Sequence, residues 1–193
     1  LKGKPILMHT IKRFFDYDPS ISIVLVLPAN QIEYWHKLCE NFDFNISHEI
    51  VSGGATRFQS VKNGLKKTGN TGIIGIHDGV RPVISIEMIS KLYTIAEKEG
   101  NAIPCSKLKE SLRKISKISN CGVDRDFYRS VQTPQVFQIE LIKTAYKQKF
   151  SDHFTDDASV FESMNHQINL VEGNEMNIKI TTPLDLKIAE IIM

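Results

Sequence analysis

Cysteine is scarce in this sequence. The 193 residues contain three cysteines, Cys39, Cys105 and Cys121, and no two of them have CxxC spacing. An odd, widely separated set gives neither a disulfide framework nor a zinc site. We therefore expect free thiols in a reducing compartment, which predicts a cytoplasmic protein.

Long apolar runs and a strong charge of one sign are also lacking. The longest apolar runs, such as Ile21–Leu27, are far shorter than the ~20 residues of a membrane-spanning helix, and we find no signal-peptide pattern. The formal net charge is +2, too small to indicate binding to nucleic acid or to a membrane surface. We expect neither partner.

What the sequence does contain is an alternation of β-branched segments with amphipathic ones. This pattern is typical of βαβ units and predicts an α/β protein with a mostly parallel sheet. A chain of this length suits a single domain, residues 1–193. Strands are predicted at Ile21–Leu27, Ile46–Val51, Thr71–Ile76, Ala102–Pro104, Ile168–Val171 and Asn177–Ile180. Helices are predicted at Pro5–Phe15, Gln31–Asn41, Thr56–Lys67, Ile86–Ala96, Gln138–Phe150, Asp157–Met164 and from Thr182 onward.

One stretch breaks the pattern. Residues from about 107 to 130 are basic, alternating and loosely apolar, with turn residues at Asn120-Cys121-Gly122. This predicts a β-hairpin arm that leaves the sheet.

Two polar clusters follow predicted strands, where sites in parallel α/β sheets lie. In GGATRFQS, Gly53 and Gly54 allow close approach of backbone amides to an anion or a base edge. A purely structural turn is the alternative. In HDGVRP, Asp78 could hold Mg²⁺ with Arg81 nearby, or the two could form a local ion pair that stiffens the turn.

Two further clusters lie later in the chain. Arg125 and Thr133, near the arm, are good anion-binding types, although they could equally border a dimer contact. Lys179 alternates with Ile178 and Ile180 in a predicted strand, so its amine is a candidate phosphate clamp, or else an ordinary surface lysine. Asp156 and its neighbours first suggest a helix N-cap.

Together, the motifs GGATRFQSV, HDGVRP, VDR…TPQVF, TDDASVFE and VEGNEMNIKITTP resemble the 2-C-methyl-D-erythritol 4-phosphate cytidylyltransferase family of the non-mevalonate isoprenoid pathway. The resemblance runs over the whole chain. It implies a Rossmann-like sheet flanked by helices with a protruding β-hairpin arm, a homodimer formed through that arm, and a reaction that uses CTP and Mg²⁺.

The resemblance also implies residue roles. Lys179 would stabilise charge at the α-phosphate, and Asp78 would lie at the metal. The nucleotide would be bound by Gly53, Gly54, Ala55, Ser60, Asp78 and Arg81. The polyol phosphate would be bound by Ser111, Arg125 and Thr133. Ala55 stands where the family often has an acidic residue, and Ser111 where it has the threonine of an Asp-Thr pair.

The family opens with a strand and a Gly-rich loop that bears Arg and Lys, and no segment here matches them. We expect the first strand and this loop to be missing from the chain. Two other functions stay open at this stage: a ribitol-5-phosphate cytidylyltransferase, and a non-catalytic nucleotide-binding module with the same fold.

Overall fold

A computed structural model describes all 193 residues, Leu1–Met193. Helices and strands alternate along most of the chain. The helices are α1 (Ile6–Tyr17), α2 (Ile32–Asn41), α3 (Arg57–Leu65), α4 (Ile86–Glu99), α5 (Ile139–Ala145), α6 (Asp157–Glu162) and α7 (Pro183–Ile192). The strands are β1 (Val24–Leu27), β2 (Glu49–Ser52), β3 (Ile73–Ile76), β4 (Asn101–Lys107), β5 (Leu112–Ile115), β6 (Asn120–Val123), β7 (Arg129–Val131), β8 (Gln135–Gln138) and β9 (Leu170–Glu172). None of the helices combines the length and the apolar composition needed to cross a bilayer.

Four helices, α3, α4, α6 and α7, begin at a residue whose side chain accepts from an early helix amide. The Thr56 hydroxyl accepts from the Gln59 amide at the start of α3. At α7, Thr182 and Asp185 form a reciprocal capping box with proline in the first turn, as the sequence predicts. Because helix ends leave backbone groups unpaired, these caps define where each loop stops.

The α/β class is confirmed, but the strand pairing is mixed rather than mostly parallel. The pairs β1–β2 and β4–β9 are parallel. The pairs β3–β8, β4–β8, β4–β7 and β5–β6 are antiparallel. The reason is the arm: the chain leaves at the end of β4 and returns along β7 and β8, so these strands run opposite to β4.

The strands that carry the core form two sheets. The first sheet contains β1 and β2, and the main sheet has the order β3-β8-β4-β7 with β9 on β4. A cavity of about 760 Å³ is lined by both β1 and β3 and is flanked by α1 and α3. Most of its lining is apolar. The largest core cluster lies elsewhere, where α3, α5 and α6 pack against the main sheet around Phe137 and Phe161.

The predicted arm is present, although its turn differs. Strands β5 and β6 pair as a hairpin, and the tip closes where the Ser116 amide donates to the Ser119 carbonyl. Asn120, Cys121 and Gly122 therefore lie in β6 and not in the turn. Serine side chains make this turn by hydrogen-bonding to one another and to the backbone, so it needs no glycine.

Two other predicted elements differ. Residues 177–180 form no strand, because the segment makes a tight turn in which the Ile178 amide donates to the Met176 carbonyl. Its only backbone hydrogen bond to the neighbouring loop runs from the Ile180 amide to the Val80 carbonyl. The helix predicted at Gln138–Phe150 ends at Ala145. Apolar periodicity continues beyond the helix because Tyr146 and Phe150 still pack against Phe58.

Candidate active site

The glycine turn between β2 and α3, residues 53–56, is braced by the first turn of α3. The Gly54 amide donates to Ser60 Oγ at 3.0 Å, and the Ala55 amide donates to Gln59 Oε1 at 2.9 Å. A Cβ on Gly54 would lie 2.5 Å from the Gln59 Cβ, so only glycine fits there. The structure thus brings together four of the residues predicted for the base: Gly53, Gly54, Ala55 and Ser60. We call residues 53–56 the base turn.

A second polar group forms after β3. Arg81 Nε donates to Asp78 Oδ2 at 3.0 Å, and Lys179 Nζ lies 3.3 Å from the same oxygen. The Asp78 side chain is 16% exposed and that of Lys179 is 47% exposed. Asp78, Arg81 and Lys179, three of the predicted site residues, thus lie together, and the local Asp–Arg pair of the alternative interpretation is present as well.

The Asp78 carboxylate is ionised. Burial alone would raise the pKa of Asp78, but the hydrogen bond from Arg81 and the charge of Lys179 lower it below its ordinary value. Only Oδ2 is engaged by these cations. A carboxylate with a free oxygen fits Mg²⁺, which is often held by one or two carboxylates plus substrate phosphates.

A ring of hydrogen bonds holds this loop in place. The Asp78 amide donates to Thr133 Oγ1 at 3.0 Å, Thr133 Oγ1 contacts His77 Nδ1 at 3.1 Å, and His77 Nε2 contacts the Arg81 carbonyl at 3.0 Å. A carbonyl can only accept, so Nε2 carries the proton and Nδ1 accepts from the Thr133 hydroxyl. Burial lowers the pKa of His77 to about 4, which keeps this neutral tautomer near pH 7.

Next to this ring lies a second depression, the basic cleft, of about 340 Å³. It is lined by Arg81, Ser106, Lys107, Lys109, Ser130, Gln132, Glu175, Asn177, Ile178 and Lys179. Four of these side chains are cationic and one is anionic, so the cleft favours a phosphate. Asp78 and Ser60 line the cavity between the sheets instead. Lys179 and Arg81 therefore connect the cleft to the Asp78 carboxylate.

None of the three predicted acceptor residues lines this cleft. Thr133 is 6% exposed and hydrogen-bonds to the Asp78 loop. Ser111 and Arg125 lie on or beside the arm, and Arg125 donates to the Lys109 carbonyl. Neither lines the basic cleft of its own chain.

Sequence reasoning missed several residues that hold the site. Arg57 makes a bidentate contact with Asp157, although both stood inside quoted motifs. The two are 100 residues apart, and no periodicity links such positions. His77 also lies in one of the motifs, HDGVRP, but no role was predicted for it. The N-cap interpretation of Asp156 is confirmed, because its carboxylate accepts from Ser159 in a capping box.

An amide-rich turn and a cation-rich cleft on either side of one carboxylate suit the joining of a nucleotide to a second phosphate compound. The fold and this arrangement define a nucleotidyltransferase. Comparison with known proteins identifies which one: the sequence pattern of 2-C-methyl-D-erythritol 4-phosphate cytidylyltransferase matches residues 1–193. The chain belongs to that family, and it is an enzyme of isoprenoid biosynthesis and not a non-catalytic module.

Individual relatives agree with this assignment. The 2-C-methyl-D-erythritol 4-phosphate cytidylyltransferase of Phocaeicola vulgatus is 49% identical over 191 residues, which are 99% of this chain and 87% of that protein. The enzyme of Porphyromonas gingivalis is 45% identical, over 100% of this chain and 86% of the relative. A crystal structure of 4-diphosphocytidyl-2C-methyl-D-erythritol synthase from Anaerococcus prevotii superposes with a TM-score of 0.85 at 28% identity, covering 99% of this chain and 86% of that one.

Proposed function

We propose that the chain transfers the cytidylyl group of CTP to 2-C-methyl-D-erythritol 4-phosphate, and that Lys179 carries the main catalytic charge. The products are 4-diphosphocytidyl-2-C-methyl-D-erythritol and pyrophosphate. The observation that carries the proposal is the convergence of Lys179 and Arg81 on Asp78, at the junction of the basic cleft and the cavity that Ser60 borders. The named relatives support this pair of substrates.

The chemistry needs no protein nucleophile. An oxygen of the acceptor phosphate attacks the α-phosphorus of CTP in line, and the bond from that phosphorus to the bridging oxygen breaks. The electron pair leaves with pyrophosphate. Catalysis then consists of positioning and of neutralising charge on the transferring phosphate. Lys179 supplies a cation at that point, and Arg81 holds Asp78 in position beside the triphosphate.

The nucleotide is held on the other side of Asp78. Gly53, Gly54, Ala55 and Ser60 contact the cytosine, since the glycine pair lets a base approach the backbone. In the free chain Ser60 and Gln59 accept from two of these amides. When cytosine binds, it would take the place of these two side-chain acceptors, and the same backbone amides would then donate to the base.

The free oxygen of Asp78 would hold Mg²⁺ together with CTP phosphates, and the metal would neutralise phosphate charge when bound. This chain's own contribution is the orientation of that carboxylate, which Arg81 and the Thr133 hydroxyl fix.

The arm joins two copies into a homodimer, in which Ser111 and Arg125 bind the acceptor in the partner's site. Two observations support this. Apolar side chains on and beside the arm are largely exposed: Ile115 at 80%, Ile118 at 96% and Phe127 at 85%. Surface patches of this kind mark contact sites. Furthermore, Ser111 and Arg125 are absent from their own chain's cleft.

The cavity between the two sheets accommodates a further strand. Each of β1 and β3 has one edge without a strand partner, and α1 and α3 cover the cavity on both faces. A strand there would be buried on both sides, as in parallel sheets. We assign this place to a strand and loop preceding Leu1.

The three cysteines are unpaired, which supports a cytoplasmic location.

The direct test is Lys179→Ala. Removing one well-placed cation costs ~100-fold or more in turnover, and folding should not change because the lysine side chain is half exposed. Lys187→Ala, an exposed lysine on α7, is the matched control. Pyrophosphate release is measured with CTP and 2-C-methyl-D-erythritol 4-phosphate, and with ribitol 5-phosphate as the competing acceptor. Near-normal turnover of Lys179→Ala, or preference for ribitol 5-phosphate, would refute the proposal.

A further inference from the structure

The base turn and the Asp78 loop belong to different sheets. The base turn follows β2, and the Gly53 amide donates to the Leu27 carbonyl of β1 at 2.8 Å. Asp78 follows β3 of the main sheet. No strand pairing joins the two sheets directly, and the further strand proposed above would lie between them. Because CTP must touch both places at once, the separation between them determines whether its base and its α-phosphate are seated together.

A polar contact links α3, which begins directly after the base turn, to α6, which packs on the main sheet. Arg57, the first residue of α3, donates to both carboxylate oxygens of Asp157, at 3.0 and 2.5 Å. The Tyr146 hydroxyl donates to the same carboxylate at 2.5 Å. The Asp157 side chain is fully buried and that of Arg57 is 41% exposed. A bidentate pair fixes the plane of the guanidinium as well as its distance.

Asp157 is in turn tied to the Asp78 loop. Gln135 Nε2 donates to Asp156 at 2.8 Å, and Gln135 Oε1 accepts from the Ala158 amide at 2.8 Å. The buried Gln135 side chain therefore hydrogen-bonds to the residues on both sides of Asp157. Gln135 pairs with Ile76 in the main sheet, two residues before Asp78. A short chain of directional contacts therefore runs from Asp78 to the base turn.

We propose that Arg57 and Asp157 are positioning residues that set the base turn relative to Asp78, and that they thereby determine how tightly and how selectively the cytosine is bound. This inference rests on the proposed function. Neither residue touches the reacting atoms.

The charge state of the bridge is consistent with this role. Burial opposes the charge of Arg57, but the hydrogen bonds and the charge of Asp157 raise the pKa of the guanidinium above its ordinary value. Burial and the Asp157 charge also raise the pKa of Tyr146, so its hydroxyl remains a donor. The Arg57 guanidinium therefore stays charged, and it is costly to leave either partner of a buried pair alone.

The test compares Arg57→Lys, Asp157→Asn and Tyr146→Phe in the active enzyme. Lysine keeps the charge but loses the bidentate geometry, asparagine keeps the shape, and phenylalanine keeps the stacking on Phe58. The control is Lys67→Ala, which breaks an exposed pair with Glu49 at the other end of α3.

For Arg57→Lys and Asp157→Asn we expect KM for CTP to rise ~10-fold or more, equivalent to ~1.4 kcal/mol of binding. The preference for CTP over UTP should fall in parallel, while kcat and the acceptor KM change by no more than about twofold, as expected when uniform binding is lost. Tyr146→Phe should shift the same quantities by a smaller factor, and it keeps the test valid if Asp157→Asn fails to fold.

Calorimetric titration with Mg·CTP and Mg·UTP separates the two proposals. If the wild-type protein transfers no cytidylyl group, the proposed function fails. If instead the wild type is active and the three variants melt at lower temperature with unchanged CTP affinity and unchanged preference over UTP, the bridge is merely structural and this inference is overturned.

Discussion

At the scale of single residues, Thr133 shows how a binding-type side chain can be used for support. Its hydroxyl accepts a hydrogen bond from the Asp78 amide and donates one to the neutral His77 ring, so it acts as donor and acceptor at once. The sequence predicted direct contact with the polyol phosphate. In the structure Thr133 is buried, and its hydrogen bond to the Asp78 amide favours a role in holding the Asp78 loop in place.

Substituting Thr133→Val distinguishes these two roles. Valine has a similar shape but leaves the Asp78 amide and His77 Nδ1 without partners, which costs ~1–3 kcal/mol in unfolding free energy. We expect kcat to fall with little change in the acceptor KM, and Thr133→Ser to restore most of it. Steady-state kinetics and thermal melting measure both effects. A rise in acceptor KM alone would favour direct substrate contact instead.

At the scale of elements, the arm forms its strand pair without the main sheet, and its apolar side chains are left largely exposed. Its hairpin pairs within itself, and Lys109 at its base binds Glu175 of the body in an exposed ion pair. Exposed pairs of this kind contribute little. The exposed isoleucines at and near its tip fit the proposed contact with a second copy of the chain, which would also bring Arg125 to the partner's site.

Mixing two inactive variants tests this arrangement. In a C2 dimer whose Arg125 completes the partner's site, the variants Arg125→Ala and Lys179→Ala are each inactive alone. A mixed dimer has one site with both wild-type residues. Random exchange of subunits should therefore recover about a quarter of wild-type activity.

Sedimentation velocity verifies that the mixture is dimeric. If Arg125 served its own chain's site instead, every mixed dimer would contain two defective sites, and mixing would recover nothing. That result would contradict the role of the arm.

At the scale of the whole molecule, the cavity between the first and main sheets is the main departure from a continuous core. Its walls include the apolar faces of α1 and α3 as well as both strand edges. Apolar surface and unpaired strand edges are both unfavourable in water. The proposed strand before Leu1 would cover both at once.

Joining the proposed strand and loop to Leu1 should therefore raise the melting temperature of residues 1–193 and slow hydrogen exchange at the amides of β1 and β3. It should also strengthen Mg·CTP binding, since the proposed loop meets the triphosphate. Mass-spectrometric exchange compares the two forms, with the arm strands β5 and β6 as the internal control. Equal protection of β1 and β3 in both forms would contradict the assignment.

The sequence by itself determined where the helices and most strands lie, because apolar periodicity and capping residues act over a few neighbours, but it did not predict β7 or β8. The cap of α7, the hairpin arm and the strand-end position of Asp78 could all be predicted in this way. It also determined the family, because the spacing of several motifs is specific in combination.

Tertiary structure alone decided which distant residues meet. The Arg57–Asp157 bridge, the ring through His77 and Thr133, and the separation of Arg125 from its own cleft depend on contacts between positions far apart in the chain. The mixed direction of the sheet follows from the path of the arm, and the cavity from the edges of two strands. Such contacts arise from packing and leave no periodic signal in a single sequence, so only the folded chain shows them.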